Sequence, residues 1–206
     1  ISVDHVELYG IQIYGTTSGN TYGIYLTGQS SSSEILVDRC IIRFNDNNNS
    51  SYWRRGIRTY STNVNLKVRN TIIYDARNST NNACAGIYWN GGSAAYIHNC
   101  TIHNCYFGIY STDSTITVKN TITNDCANGF SGSFSASSDY NASDISGDAP
   151  GSNSRNGTDG VVSFRDESGD DFHLGSTDSN ARGNGTDLSS DANLAVTEDC
   201  DGIDLT

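Results

Sequence analysis

Five stretches of this chain lie one above another with apolar residues falling in columns. Leu8, Val37, Val68, Ile97 and Val118 form one column, at steps of 29, 31, 29 and 21 residues. Three positions on stand Ile11, Cys40, Thr71, Cys100 and Thr121; five positions on stand Ile13, Ile42, Ile73, Ile102 and Thr123. A glycine-led segment follows each stretch: GIYL from Gly23, GIRT from Gly56, GIYW from Gly86, GIYS from Gly108 and GFSG from Gly129. Repeats of this length with no helical period predict a β-solenoid. A single coil cannot bury its own apolar face. Stacked on a neighbour at about 4.8 Å, it lines a continuous core. The expected coil is a short strand, a polar turn, the Gly-led strand and a second polar turn. Alternation within it points the Ile of GIY inward and the Tyr outward. An antiparallel β-sandwich also has many short strands, but it does not require like residues at like places in every repeat.

Three of the stretches share an asparagine: KVRNTIIYDA, YIHNCTIHNC and TVKNTITNDC. Here the chain resembles the right-handed parallel β-helix (pectate-lyase-like) family, of the kind found in phage virion and bacterial surface proteins. The resemblance covers Leu8 to about Phe130. It implies an all-β solenoid of about five or more coils with an irregular C-terminal capping segment. It also implies that Asn70, Asn99 and Asn120 form a ladder of bonded amides at a tight bend; Gly10 and Arg39 depart from it in the first two coils. The architecture hosts lyases, hydrolases, adhesins and viral spikes, so it fixes no function.

Residues 1–135 are expected to form the solenoid body, and 136–206 a loop-rich coil and cap of the same domain. The tail carries DFHL (Asp171 to Leu174), GNGTDL (Gly183 to Leu188) and DCDG (Asp199 to Gly202). This resembles the closing stretch of many bacterial and phage β-helix proteins. Val162, Phe164, Phe172 and Leu174 are expected to give the last apolar layer, closing the open end of the stack. The chain opens on Ile1 and has no Met, which reads as an internal or processed piece of something longer.

Six cysteines show no zinc-finger spacing. Cys40 and Cys100 share an inward column two coils apart, too distant to bond. Cys105 and Cys126 match on adjacent coils, within disulfide range; Cys84 competes for Cys105, and Cys200 either pins the tail or stays free.

The net charge of −11 argues against non-specific binding to nucleic acid or an anionic membrane. No apolar run reaches membrane-spanning length. The first three coils carry insertions, Thr16 to Tyr22, Asn45 to Arg55 and Arg77 to Cys84, which stacking gathers on one side. The middle one holds Tyr52, Trp53, Arg54 and Arg55, suited to a sugar face or a partner surface; Tyr52 and Trp53 folding onto the solenoid flank is the plainer alternative. Two outward columns, Tyr25–Arg58–Tyr88–Tyr110 and Tyr14–Arg43–Tyr74–His103–Asn124, are candidate sugar ladders or ordinary same-face pairs.

No catalytic set stands out. Asp38, Asp46, Asp75 and Asp125 come one per coil without defined mutual spacing, though a cross-coil pair such as Asp46 and Asp75 is open. The four histidines have no metal-like partners. The acidic end (Glu198, Asp199, Asp201, Asp204) has donors for Ca²⁺ but not EF-hand spacing; no other cofactor is expected. Several sequons occur, including those at Asn48, Asn78, Asn141, Asn156 and Asn184.

The expected function is a non-enzymatic structural or attachment module of a virion (capsid decoration or tail) or bacterial surface. Its partners would be other virion or surface proteins or further copies of itself. The alternatives are a polysaccharide lyase or depolymerase, and a carbohydrate-binding module, both using the stacked insertions.

Overall fold

The computed structural model describes residues 5–16, 19–27, 33–45, 52–60, 63–78 and 83–204. The chain forms a parallel β-helix with three sheets. Sheet A stacks β1 (His5–Tyr9), β4 (Ser33–Asp38), β7 (Val64–Arg69), β10 (Ala94–His98) and β13 (Ile116–Lys119). Sheet B stacks β2 (Gln12–Gly15), β5 (Ile41–Phe44), β8 (Ile72–Tyr74), β11 (Thr101–His103), β14 (Ile122–Asn124), β16 (Ala142–Ser143) and β17 (Arg155–Asn156). Sheet C stacks β3 (Thr21–Thr27), β6 (Arg54–Tyr60), β9 (Ala85–Trp89), β12 (Phe107–Ser111) and β15 (Asn128–Gly132).

The columns read from sequence are the registers observed. Leu8 pairs with Val37, Val37 with Val68, Val68 with Ile97 and Ile97 with Val118. Ile24, Ile57, Ile87, Ile109 and Phe130 follow one another in sheet C and are buried. Cys40, Thr71, Cys100 and Thr121 are buried between sheets A and B. Burial pushes the Cys100 thiol up to about 12, so this column consists of inert packing residues.

Each coil has three strands rather than the two expected. The first apolar stretch bends sharply at residues 10, 39, 70, 99 and 120, where φ is +65°, +54°, +52°, +51° and +51°. This left-handed corner separates sheet A from sheet B. Asn tolerates it and Gly adopts it freely, so Gly10 and Asn70 do the same backbone work. The expected amide ladder is replaced by other bonds. Asn70 Nδ2 donates to Asp38 Oδ1 at 3.4 Å. Asn120 exchanges two bonds with Thr186, Nδ2 to the carbonyl at 2.8 Å and Oδ1 from the amide at 2.9 Å. Among the described residues the Oδ1 atoms of Asn70 and Asn99 have no partner.

A side-chain ladder does exist, at the corner between sheets B and C. Asp75, Asn104 and Asp125 take φ of +63°, +46° and +51° there. Asn104 Nδ2 donates to Asp75 Oδ1 at 2.9 Å, and Arg77 Nη1 reaches Asn104 Oδ1 and the Asp125 carbonyl, each at 3.2 Å. Asp144 continues the line, accepting from the Asp125 amide at 2.9 Å.

Sheet B runs on through β17, so the stack extends past residue 135. The tail then departs from the expected end cap. β18 (Phe164–Asp166) and β19 (Asp171–Leu174) pair antiparallel and lie against the outer face of sheet B. Phe172 packs on Tyr74 at 5.0 Å and on His103 at 5.1 Å between ring centroids. Residues 186–198 form a strap running back along the A–B corner. Thr186 holds Asn120, Asp191 pairs with Lys119 at 2.8 Å, the Leu194 carbonyl meets His98 Nδ1 at 2.8 Å, the Ala195 carbonyl accepts from Arg69, and Glu198 pairs with Arg39. The last apolar layer is therefore lateral, and Leu188, Leu194 and Val196 join Val162 and Phe172 in it as buried residues.

Coil spacing is set at the glycines that lead sheet C. A Cβ on Gly86 would stand 2.5 Å from Ile102 Cγ2 and 2.8 Å from the Gly108 carbonyl oxygen. Gly91 has φ of +82° but open space around it. Gly86→Ala is expected to cost about 1–3 kcal/mol by overpacking and backbone shift, and Gly91→Ala about 1 kcal/mol by strain alone. Urea denaturation of the two variants measures the difference.

Candidate functional site

The sequence singles out the outward face of sheet C. Tyr25, Arg58, Tyr88 and Tyr110 stand in register there. Arg58 lies over the rings of Tyr25 (5.0 Å), Tyr22 (5.2 Å) and Tyr60 (5.4 Å). Tyr22 and Tyr25 stack at 4.9 Å, and Tyr88 and Tyr110 stack at 4.8 Å with 26° between planes. Phe107 closes on Tyr110 at 5.0 Å. In such stacks a ring turns its face to the next coil and its edge to solvent. Ring faces are thus largely taken up by neighbours, and the surface shows edges, hydroxyls and guanidinium rims. A sugar stacks on an open ring face, so most of this column serves coil-to-coil adhesion.

The four residues of the middle insertion separate. Arg54 is 1% exposed and donates to the Arg77 carbonyl. Arg55 is buried between two rings, 3.6 Å from the Tyr88 centroid and 5.0 Å from that of Trp53, and its Nε donates to the Ala83 carbonyl at 2.8 Å. Burial holds its pKa below the usual arginine value, with Arg58 adding to the effect. Trp53 covers this guanidinium and stays 37% exposed. The Tyr52 carbonyl accepts from Asn78 Nδ2 at 2.7 Å. So Arg54 and Arg55 are structural, and Trp53 and Tyr60 are the aromatics left at the surface beside Tyr25.

The roots of the three insertions bond to one another. The Trp53 amide donates to Asn20 Oδ1 at 2.9 Å, and Thr21 N donates to the Trp53 carbonyl at 2.8 Å. Residues 17–18, 46–51 and 79–82 lie outside the described residues, and with them Asp46 and the sequon at Asn48.

The second outward column is open at its start, where Tyr14 is 59% exposed and Arg43, also exposed, pairs with Asp170 at 2.8 Å. Further along, Phe172 of the β18–β19 hairpin packs on Tyr74 and His103, and Tyr74, His103 and Asn124 are buried. The expected disulfide is absent: Cys105 and Cys126 are free thiols. They face the core on adjacent coils, each directed to the carbonyl two residues before it. Burial, with the Cys126 thiol bonded beside it, raises the pKa of Cys105.

The acidic end is engaged elsewhere: Glu198 with Arg39, Asp201 with His173 Nε2 at 2.7 Å, and Asp199 with the amides of Asp201 and Ile203, each at 2.9 Å. Among the described residues no group of three or more His, Cys, Asp or Glu gathers as a metal site. Sequence reasoning passed over Asp144 and Asp148. Burial raises the pKa of Asp144, and the carboxylates of Asp125 and Asp148 add to it. Asp148 Oδ2 accepts from the amides of Gly129 (2.8 Å) and Phe130 (3.1 Å). Their signal was their place: each lies where a sixth coil would turn.

Two histidines, His98 under the tail and His173 within it, respond to pH with opposite sign. Bonds to Asp201 and Asp171 raise the pKa of His173, while burial lowers that of His98. The His173 contribution is complete below about pH 6.5, the unfolded value, and fades as pH rises through the raised one. The His98 contribution is complete above about pH 6.5 and fades as pH falls toward the lowered one. Asp191 is raised by burial, yet the Lys119 bond and the amides of Leu194 and Asn193 bring it down to about 2, so it holds the strap until strongly acid pH. Melting temperature against pH is expected to lose its mildly acid slope in His98→Gln and its alkaline slope in His173→Gln. Searches against protein-family models, curated proteins and solved structures return no match to this chain.

Proposed function

We propose that this chain is a non-enzymatic structural and attachment module, a stiff β-helix segment of a surface assembly. The observation that carries this reading is the use made of its chemistry-bearing side chains. Arginines 54, 55 and 58, the sheet C tyrosines, Asp38, Asp75 and Asp191 all hold one coil, or the tail, to another. A virion setting, as capsid decoration or tail protein, rests on the resemblance of the closing stretch. A bacterial surface protein is the neighbouring reading. The partners would be other proteins of that assembly or further copies of this chain, met through the exposed edges of Tyr25, Trp53 and Tyr60. No helix among the described residues is long and apolar enough to cross a membrane.

Immunogold labelling with antibodies to this chain is expected to mark intact particles or cell surfaces at regular positions. Finding the chain only as a free species that shortens polysaccharides would overturn the proposal. The depolymerase alternative has one observation in its favour, the raised pKa of Asp144. It requires that Asp144→Asn abolish cleavage of an acidic polysaccharide in a viscosity assay. The module reading expects no cleavage from either protein and a small loss of stability in the variant.

A further inference from the structure

Between sheet B and the tail lies a cavity of about 650 Å³, within the range of small-molecule sites. It sits away from the sheet C face. Ile72, Thr101 and Ile122 form its floor, and Phe172 and Leu174 stand opposite. Three of the twelve cationic residues of this acidic chain, Arg155, Arg165 and Arg182, line it against a single carboxylate residue, Asp199. Asp199 is turned into its own backbone loop. Arg165 pairs with Asp171 at 3.6 Å. Arg155 donates to the amide oxygen of Asn184 at 2.7 Å, and Arg182 to the carbonyls of Leu174 (3.1 Å) and Gly175 (3.2 Å). These two guanidiniums are positioned by neutral groups and keep their charge for something else.

The floor supplies a second requirement: it is predominantly hydrocarbon, and a bare inorganic ion would leave it uncovered.

We propose that this cavity binds a small organic anion. Its acid group sits with Arg155 and Arg182, and its hydrocarbon lies on the floor at Ile122 and Thr101. The site stands whether or not the chain is an attachment module.

The test is calorimetry and ligand-observed NMR on the full chain with gluconate, 4-hydroxybenzoate, the amide of each, and inorganic phosphate. At least one acid is expected to bind, with its amide at least about tenfold weaker, since charge-assisted bonds are roughly twice as strong as neutral ones. Arg155→Gln and Arg182→Gln are each expected to weaken the acid by about tenfold. Thr101→Trp fills the floor, leaves the Arg155 bond in place, and is expected to abolish binding in a protein whose circular dichroism is unchanged. Four results would overturn the site: no acid binds, acid and amide bind alike, phosphate binds as well as the acids, or binding survives Thr101→Trp in the folded protein.

Discussion

Everything in this molecule depends on placing each coil on the next at the spacing of β hydrogen bonds. At that spacing a residue's nearest neighbours are its own counterparts one coil up and one coil down. The consequence is strictest at the glycines that open the sheet C strands, where the backbone of one coil lies against the carbonyl of the next and a single added methyl has no room.

The same constraint decides what the surface offers. A tyrosine stacked on its counterpart spends its faces on cohesion. An arginine between two tyrosines does likewise, as Arg58 and Arg55 show. Adhesion along the axis and recognition across it draw on the same side chains. The cavity beneath the tail escapes this competition, because there the stack meets a segment with no repeat, and Arg165 and Arg182 answer to no counterpart one coil away.

The fold was legible because periodicity is a local property. Val37, Val68 and Ile97 announce their register without any knowledge of distant residues. The corner between sheets A and B was legible as a column but not in its mechanism: Asn70 suggested a side-chain ladder, whereas Gly10 and Arg39 in the same column point to backbone geometry. The Asp75–Asn104–Asp125 ladder was equally available and was missed because aspartates one per coil were weighed as catalysts. The course of the tail was not legible. Its contacts join residues such as Lys119 and Asp191 or Arg39 and Glu198, and no repeat records which exposed column a segment without one will choose. The burial of Arg54 was hidden for a related reason, since an arginine in a polar insertion reads as solvated until its strand is placed.

Solenoids ordinarily unfold piecemeal, because each repeat touches only its neighbours and stability adds up along one dimension. The strap changes that connectivity. It ties Asn120 and Lys119 in the fifth coil, through His98 and Arg69, to Arg39 in the second. Fraying of an early coil must therefore also loosen a late one, and the one-dimensional chain of couplings becomes a closed loop. The contacts that close it span large separations in sequence and can form only after the coils beneath them exist. Such an arrangement folds slowly and lets go all at once.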